Sequence, residues 1–464
     1  MAISITNFFD SLKSKKVAFI GTGVSHKDTI KLFLKKGVSV TVLDKKDKEA
    51  LGEVYTYLSG LGADFILGDA YLDTLCDFDV VFRTPGMNFF NEKLVGARDK
   101  GVVVTSEMEV FFKLCPCKIY AVTGSDGKTT TTTLISEFFK GQGKTVHLGG
   151  NIGKALLPII DEITPNDVAV VELSSFQLIS MRQSPDVAVI TNIAPNHLDV
   201  HKDMDEYIDA KKNLLLHQDG FSKSVLNMDN ELTNNLESIV RGKLFKFSRN
   251  AQPKCGAFLD KDGNLCYSDE YKTTKLFNKD IIKLPGIHNV ENYLTAITAV
   301  WGEVEVSVIE NVARNFGGVE HRIELVRVLN GVRWYNDSIA SSPTRTIAGL
   351  NSFNQKIIVI AGGYDKKIPY EPLAPKLVEK VKTLILMGDT APKIEQAVKS
   401  CEGFLQSDMK ILHADDMKMA VALAYENAKD GDVVTLSPAS ASFDKYPNFE
   451  VRGRDFKNIV NGLK

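Results

Sequence analysis

Residues 123–133, TGSDGKTTTTT, combine a short glycine turn with a lysine and a run of five threonines after it. The apolar run before the turn predicts a strand, and the pattern after Lys128 predicts a helix. A glycine turn between a strand and a helix directs backbone N–H groups toward one point, where the helix dipole adds positive potential. Lys128 would neutralise β- and γ-phosphate oxygens, and Thr129 offers a hydroxyl to Mg²⁺. The stretch therefore predicts a nucleoside triphosphate site.

This loop is a shortened variant of the Walker A pattern, because Val122 occupies the position where the pattern has its first glycine. A plain glycine turn is the alternative interpretation, which the order of strand, loop, lysine and threonine disfavours. The early threonines suit the first turn of a helix, where backbone N–H groups lack partners. The residues expected to contact ATP here are Gly124, Ser125, Asp126, Gly127, Lys128, Thr129 and Thr130.

A carboxylate follows the next predicted strand of this region, at 167–171. Glu172 ends that strand, where a carboxylate would face Mg²⁺ at the carboxyl edge of a sheet. Taken alone, such a glutamate is more often a solvated carboxylate, but LSSFQL follows it directly. His197, Asp199 and His201 suggest a zinc cluster, although three ligands within five residues would need strained geometry. Magnesium is the preferred interpretation.

Length and charge limit the class of protein. A chain of 464 residues predicts two to four domains, and a net charge of −2 gives no global field for nucleic acid or an anionic membrane. The sequence shows no signal peptide and no stretch of transmembrane length, so we expect a cytoplasmic protein that does not insert into a membrane. The cysteines have no zinc-like spacing. Cys115 and Cys117 suggest either a redox pair or, preferably, two unlinked buried thiols.

Three blocks of alternating strand and helix patterns predict an α/β protein with parallel sheets. We place them at 1–106, 107–318 and 319–464. The first contains KVAFIG and VSVTVLD, the second contains the triphosphate loop with VAVVELSS and VAVITNI, and the third contains KIIVIAGG, KTLILMG and DVVTLSP. Each block is therefore expected to form one domain.

The first block has a glycine turn of its own. Gly21 and Gly23 follow a predicted strand, His26 replaces the third glycine of the dinucleotide fingerprint, and Asp44 ends the next strand where the ribose-binding acid is expected. Alone, this incomplete fingerprint would suggest NAD. Nothing else in the sequence resembles a hydride-transfer site, which disfavours that interpretation.

Taken together, these motifs resemble the Mur ligases, ATP-dependent amide-forming enzymes of peptidoglycan synthesis related to folylpolyglutamate synthase. The resemblance covers essentially the whole chain. It rests on TGSDGKTTTTT, GGNIG (149–153), ELSSFQL (172–178), NHLD (196–199), YIDAK (207–211), PGIHNVEN (285–292), FGGVEHRIE (316–324), NDS (336–338), GGYDKK (362–367) and LSPASASFDKYPNFEVRG (436–453).

The resemblance implies a Rossmann-like N-terminal domain for the UDP substrate, a central P-loop ATPase domain and a Rossmann-like C-terminal domain for the incoming amino acid. Within the family, the motifs are most similar to the member that adds D-glutamate to UDP-N-acetylmuramoyl-L-alanine through an acyl phosphate. It implies ATP and two Mg²⁺ ions as cofactors, and we expect a monomer with no nucleic-acid partner.

The resemblance also implies roles for individual residues. The expected catalytic residues are Lys128, His197, Lys211 and Lys366, and the expected metal ligands are Thr129, Glu172, His197 and Lys211, the last as a carbamate. Asn289, Asn292, Arg322 and Asp337 would face the nucleotide. The expected substrate contacts are Val24, Ser25, Asp44, Lys45, Thr84, Pro85 and Gly86 for the UDP part, Asn151 for the muramoyl-alanine end, and Ser341, Ser442 and Phe449 for the remaining substrate groups.

Two positions depart from the family pattern. Ile339 stands where the family usually has a lysine facing the acyl phosphate, and Lys366 or Lys367 is expected to supply part of that charge. Asp126 stands where relatives often have asparagine, so its charge needs an offsetting cation. Other interpretations remain: another Mur ligase or a folylpolyglutamate synthase-like ligase, a P-loop motor or switch, and a non-catalytic sensor of UDP-muramoyl peptides.

Overall fold

A computed structural model of the protein describes residues 4–195 and 200–464. The chain forms two compact units. Within the described residues, the first unit runs through Lys279 and also contains Glu291–Val312, and the second contains Asp280–Val290 and Ala313–Lys464.

The first sheet of the first unit has five parallel strands in the order β3-β2-β1-β4-β5. The strands are β1 (Val17–Ile20), β2 (Val40–Asp44), β3 (Asp64–Leu67), β4 (Val80–Phe82) and β5 (Val103–Thr105). The helices are α1 (Ile5–Leu12), α2 (Val24–Lys35), α3 (Lys48–Leu51), α4 (Glu53–Gly60), α5 (Glu92–Asp99) and α6 (Glu107–Leu114). The rings of Phe19 and Phe82 stack 4.3 Å apart across β1 and β4, so aromatic packing joins the two central strands.

The second sheet of this unit has six parallel strands in the order β11-β10-β9-β6-β8-β7. The strands are β6 (Lys118–Thr123), β7 (Val146–Gly150), β8 (Val168–Glu172), β9 (Val187–Ile190), β10 (Lys223–Asn227) and β11 (Lys243–Phe247). The helices are α7 (Lys128–Gly141), α8 (Ser175–Leu178), α9 (Met204–Leu216) and α10 (Glu231–Asn234). Most of α11 (Ile287–Val300) and α12 (Val306–Asn315) also belongs to this unit, while residues 287–290 and 313–315 belong to the second. Because β6 lies between β8 and β9, the segments that follow these three strands meet at one edge of the sheet.

A small antiparallel sheet follows, which the sequence analysis did not predict. Its strands are β12 (Cys255–Leu259), β13 (Asn264–Asp269) and β14 (Thr273–Asn278). Tyr267 of β13 stacks on Trp301 at 3.9 Å between ring centroids. This stacking ties the added sheet to the rest of the first unit.

The second unit has a six-stranded sheet in the order β15-β16-β20-β17-β18-β19, parallel except for β15. The strands are β15 (Glu324–Leu329), β16 (Val332–Asn336), β17 (Ile357–Ala361), β18 (Val381–Leu386), β19 (Lys410–His413) and β20 (Val433–Leu436). The helices are α13 (Pro343–Leu350), α14 (Ala374–Lys380), α15 (Ala391–Lys399), α16 (Met417–Asn427) and α17 (Phe449–Asn461). Ile357 and Val359 join one apolar cluster and Ile358 and Ile360 another, so both faces of β17 are covered.

The predicted mixed α/β fold with parallel sheets is confirmed. The domain limits at 106 and 318 stay a prediction. Among the described residues, no helix is both long enough and apolar enough to span a bilayer. The Sγ atoms of Cys115 and Cys117 lie 3.6 Å apart at hydrogen-bond distance, and both cysteines are free thiols without a disulfide.

Candidate active site

The loop between β6 and α7 can be built only with glycine at two positions. Gly124 has a φ of +151°, and a Cβ there would lie 1.9 Å from the Thr191 hydroxyl oxygen. Gly127 has a φ of +75°, and its Cβ would lie 2.4 Å from Oδ1 of Asn292. Both dihedral angles lie in the region that favours glycine, so the two glycines are required by backbone conformation and by close packing.

Lys128 is the first residue of α7, and its side chain folds back over the loop. Its Nζ donates to the carbonyl oxygens of Gly124 at 2.9 Å and Ser125 at 2.8 Å. Ser125 is itself fixed, because its hydroxyl donates to the Ala194 carbonyl at 2.8 Å and lies 2.9 Å from the Tyr207 hydroxyl. The ammonium group is therefore held at the mouth of a rigid loop.

The threonine run forms the buried start of α7. Thr129, Thr130, Thr131 and Thr132 are all buried. Thr132 and Thr133 donate their hydroxyls to the carbonyls of Lys128 and Thr129, each at 2.8 Å, while the Thr131 hydroxyl donates to Oδ1 of Asn292 at 3.3 Å. Threonine thus serves here as a small side chain that satisfies its own hydroxyl inside a packed helix.

Glu172 ends β8, and 1% of its surface is exposed. One carboxylate oxygen accepts a hydrogen bond from the side-chain amide of Asn151 at 2.8 Å. The other, Oε2, is buried and accepts no hydrogen bond from any described residue. A buried carboxylate oxygen without a donor is costly unless a cation compensates it, so its chemistry suits a metal ligand.

Lys211 lies on α9 and is as buried as Glu172, with 1% of its surface exposed. Its Nζ donates to the Gly124 carbonyl at 2.9 Å and to the Thr123 hydroxyl at 3.3 Å, so it reaches the same loop as Lys128. Burial, followed by repulsion from Lys128, holds the pKa of Lys211 well below its usual value. A lowered pKa favours the neutral amine.

Asp126 supplies negative charge to this group of lysines. Its carboxylate attracts Lys211, as does that of Glu172, and both act to raise the pKa that burial lowers. The backbone of Asp126 is fixed by Asn192, whose Oδ1 accepts from the Asp126 N–H at 2.9 Å. The extra charge at this departure from the family pattern therefore faces nearby cations.

His197, predicted as a metal ligand and catalytic residue, and Asp199 lie outside the described residues. His201 is described and buried, and both its ring nitrogens are occupied. Nδ1 lies 2.9 Å from a carboxylate oxygen of Glu206, and Nε2 lies 2.9 Å from the Ser175 hydroxyl. Its ring also stacks on Phe176. These contacts explain His201 as a structural histidine, without a zinc ion.

The glycine turn of the first sheet is held by a carboxylate instead of a lysine. Asp44 is half-buried at the end of β2, and its Oδ2 accepts from the backbone N–H and hydroxyl of Thr22, both at 3.3 Å. Lys45 is exposed. Helix α2 begins at Val24, and the side chains of Val24 and Ser25 lie outside the described part of the structure. The acid at the end of β2 thus holds the glycine turn in place.

His26, at the third fingerprint position, is buried beneath this turn. Its Nδ1 lies 3.0 Å from the Gly21 carbonyl, and its ring packs edge-on against Phe19. Burial lowers the pKa of His26, so the neutral imidazole is favoured. Thr84, also expected near the UDP part, precedes Pro85 and Gly86 in the loop after β4, and Gly86 is exposed.

In the second unit, Asp337 follows β16 and is buried. One carboxylate oxygen accepts from the Ser437 hydroxyl at 2.9 Å and the other from the Ile323 N–H at 3.3 Å. Burial raises the pKa of Asp337 to about 7, and the positive charges of Arg322 and Arg345 oppose that rise. Arg345 also donates to the Ile339 carbonyl at 3.4 Å. A positive charge therefore reaches the segment that lacks the family's lysine.

The remaining predicted residues divide between the two units. Asn292 belongs to the first unit, where it contacts the triphosphate loop, and Asn289 belongs to the second, where its amide donates to the Pro285 carbonyl at 2.6 Å. Lys366 is exposed, Ser341 is half-buried and Ser442 is buried.

Arg452 connects the segments that carry these residues. It lies on α17, which begins at Phe449, and it is buried. Its guanidinium donates to the carbonyls of Ser338 at 2.9 Å and Ala441 at 2.9 Å, and the Ser338 hydroxyl donates to the Phe449 carbonyl at 2.8 Å. Ser341, Ser442 and Phe449 therefore lie on segments fixed by one arginine.

The described residues contain one group of three potential metal ligands, Glu320, His321 and Glu324. Lys457 forms ion pairs with both glutamates, and Asn336 donates to Nδ1 of His321. One lysine cation therefore already pairs with both carboxylates of this group. It does not include any residue predicted to bind metal.

The sequence analysis missed three arginines at these loops: Arg83, Arg345 and Arg452. Arg83 and Arg452 are each buried with 2% or less of their surface exposed. Each stands next to or within a motif already recognised, namely Thr84-Pro85-Gly86 or the 436–453 segment. The sequence signal that could have identified these residues was an arginine next to a recognised loop motif.

Comparison with protein families gives two matches. The model for the Mur ligase middle domain matches residues 122–300, and the model for the Mur ligase, glutamate ligase domain matches residues 321–440. Curated relatives match at full length. UDP-N-acetylmuramoylalanine--D-glutamate ligase of Acetivibrio thermocellus is 51% identical and that of Clostridium acetobutylicum is 50% identical, each covering 100% of both chains.

Solved structures resemble the fold at lower identity. UDP-N-acetylmuramate-alanine ligase MurC from Thermotoga maritima has a TM-score of 0.57 at 19% identity, covering 97% of this chain and 100% of that one. MurF from Acinetobacter baumannii has a TM-score of 0.58 at 14% identity, covering 95% and 93%. These likenesses concern the fold alone.

Proposed function

Because the chain belongs to the Mur ligase family, we propose that it uses ATP to join D-glutamate to UDP-N-acetylmuramoylalanine. The full-length relatives at about half identity carry that activity in their names. One observation on this chain carries the proposal: the Lys128 ammonium folds over one glycine loop at the start of a helix and donates to the Gly124 carbonyl, which Lys211 also contacts, while the buried Glu172 attracts Lys211. A glycine loop with this cation at the start of a helix suits a polyanion.

The reaction needs activation, since a carboxylate is a poor electrophile. The alanyl carboxylate attacks the γ-phosphoryl group of ATP, giving an acyl phosphate and ADP. The D-glutamate amine then attacks the acyl carbon, and phosphate leaves from the tetrahedral intermediate. The first step depends mainly on positioning and charge neutralisation, which the rigid loop and the Lys128 ammonium supply.

Two Mg²⁺ ions are part of this proposal. Thr129 and Glu172 would hold the first, and His197 the second. The unpaired oxygen of Glu172 fits a cation, and so does the position of Thr129 at the start of α7. When bound, Mg²⁺ neutralises the charge that develops on the phosphate oxygens.

Lys211 would take part as a carbamate. Carbamylation needs CO₂ and a neutral amine, and the pKa of Lys211 is held low by burial. The product would be an anion in place of a cation, and it could act as a ligand for Mg²⁺ together with Glu172.

The second unit would bind the incoming amino acid. Lys366, Ser341, Ser442 and Phe449 would hold D-glutamate and the transferring phosphate, and Asn289, Asn292, Arg322 and Asp337 would face ATP. The first sheet would hold the UDP part through Val24, Ser25, Asp44, Lys45 and the 84–86 loop, with Asn151 at the muramoyl-alanine end.

The attacking amine must lose its proton. His197 is our proposed base, although metal binding competes with that role.

The proposal includes three domains with limits near residues 106 and 318. We also propose that the protein is a monomer. We place it in the cytoplasm, because the free cysteines and the need for ATP fit a reducing, ATP-containing compartment. Neither property enters the chemistry above.

Phosphate release tests the function directly. We expect release to require UDP-N-acetylmuramoyl-L-alanine and D-glutamate together, with L-glutamate and D-alanine as matched controls that support little turnover. Equal turnover with L-glutamate would contradict the substrate assignment. Robust ATP hydrolysis without the UDP substrate would favour a P-loop motor or switch, and binding of the UDP substrate with no turnover would favour a sensor.

A further inference from the structure

Arg83 stands at the end of β4, directly before the loop Thr84-Pro85-Gly86. Its backbone N–H donates to the Thr105 carbonyl at 2.8 Å, so the main chain is fixed between β4 and β5. Its side chain is buried, with 1% of its surface exposed. An arginine buried at a strand end needs partners for several N–H groups.

One nitrogen of the guanidinium holds the loop that follows. Nη1 donates to the Met87 carbonyl at 2.7 Å and to those of Thr84 at 3.2 Å and Pro85 at 3.4 Å. These carbonyls wrap around a single N–H-bearing atom. The shape of the 84–87 loop is therefore set by Arg83.

The other nitrogen reaches the second sheet's connecting segment. Nη2 donates to the Phe176 carbonyl at 2.9 Å and to the Ser180 hydroxyl at 3.2 Å. Both acceptors follow Glu172, the buried carboxylate at the end of β8. Arg83 thus links the loop after β4 to the segment after β8, about 95 residues later in the chain.

The charge of Arg83 is balanced at a distance. Burial lowers the pKa of Arg83 to about 10, and the nearby Glu109 acts in the opposite direction. Ser180 connects the two groups, since its hydroxyl also donates to Glu109 at 3.1 Å. Backbone carbonyls and this relay replace a direct ion pair within the described residues, so geometry rather than charge pairing selects arginine here.

We propose that Arg83 is a positioning residue that fixes the loop at 84–87 against the segment at 176–180, so that a substrate bound at the first sheet presents its carboxylate to the phosphate loop of the second. This role rests on the proposed function, because it assumes that the 84–86 loop contacts the UDP substrate. Arg83 itself touches no reacting atom. Its effect would fall on the rate of the chemical step more than on ATP binding.

Arg83→Lys is the informative variant, because it keeps the positive charge but replaces two terminal nitrogens with one. Arg83→Met provides a second variant of similar length, which removes the charge and every hydrogen bond that the guanidinium donates to the two segments. The matched control is Arg98→Lys, because Arg98 stacks on Phe89 at 4.1 Å and donates to the Phe89 carbonyl, whereas its hydrogen bonds do not reach the 176–180 segment within the described residues. Thermal melts would verify that each variant is folded.

Hydrogen exchange without substrate gives the first readout. We expect faster exchange at 84–87 and 176–180 in both Arg83 variants and not in Arg98→Lys. In turnover, kcat should fall about tenfold or more in Arg83→Lys, while KM for ATP changes by less than about threefold. Ser180→Ala should lower kcat, and the double variant should lose no more than Arg83→Lys alone, because the two residues share one contact.

Unchanged exchange at both segments, or equal loss of kcat in Arg98→Lys, would overturn the role of Arg83. Additive losses in the double variant would also contradict a link through Ser180. A wild-type protein without D-glutamate-dependent turnover would instead overturn the proposed function, and the exchange experiment would still decide whether Arg83 couples the two segments.

Discussion

Two glycine turns in the first unit share one backbone plan. Each follows the first strand of a parallel sheet and leads into a helix, from β1 into α2 and from β6 into α7. In the second turn, the space around the glycines is filled by protein, since Thr191 and Asn292 lie where side chains at Gly124 and Gly127 would point. In the first turn, a Cβ at Gly23 would meet no described atom within 4 Å.

The difference shows that side chains, and not the turn itself, decide the chemistry. The second turn carries the Lys128 ammonium, so a positive charge lies where helix α7 begins, and Lys211 reaches the same turn from α9. The first turn is fixed by the carboxylate of Asp44 and lined by neutral His26. The second turn suits phosphoryl transfer from a nucleoside triphosphate, whereas the first turn suits only the binding of a ligand.

The largest expected effect comes from removing the cation of the second turn. Lys128→Ala should lower turnover by roughly 10²–10³-fold, because one preorganised charge that faces the transferring phosphate is lost. Affinity for the UDP substrate, measured by calorimetry, should stay nearly unchanged, since that ligand is assigned to the first turn. A parallel collapse of both would contradict the separation of the two turns.

A somewhat smaller effect is expected for Lys211, which reaches the same turn from α9. Lys211→Ala should lose most activity, and short carboxylic acids should restore part of it by filling the place of the carbamate. Lys211→Arg should stay inactive, because guanidinium remains a cation and forms no carbamate. Phosphate release measures the alanine variant, its rescue by carboxylic acids and the arginine variant. Wild-type turnover in Lys211→Arg would contradict the role of Lys211 as a carbamate.

Sequence patterns predicted the second turn well because its signal is local. Strand, glycines, lysine and threonines are contiguous, and the predicted strand and helix appear as β6 before the turn and α7 from Lys128. The sequence also carried a weaker signal for the burial of Lys211. Tyr207, Lys211, Leu214 and Leu215 are buried on one stripe of α9, and a lysine at that spacing lies on the apolar face of a helix.

Other features depended on distant partners and could not be predicted. Arg83 is buried only because Phe176 and Ser180 supply acceptors from another part of the chain, and no local pattern encodes that contact. The antiparallel sheet at 255–278 was missed because its short strands do not alternate with helices, as those of the three blocks do. Its limits appear only once strand pairing is known.

The smallest expected effect tests the open turn directly. Gly23→Ala should change the free energy of unfolding by no more than about 0.5 kcal/mol, because Gly23 has a φ of −55° and a methyl group there meets no described atom. Affinity for the UDP substrate should still fall, by up to about tenfold or 1.4 kcal/mol, since the methyl group would project into the space assigned to that ligand. Gly124→Ala is the matched control in the filled turn, where a positive φ and a 1.9 Å approach to Thr191 should destabilise the fold by more than about 1 kcal/mol. Chemical denaturation and calorimetry measure both quantities. Equal destabilisation by the two substitutions would show that the first turn is as tightly packed as the second, and would contradict its assignment as a ligand-holding turn.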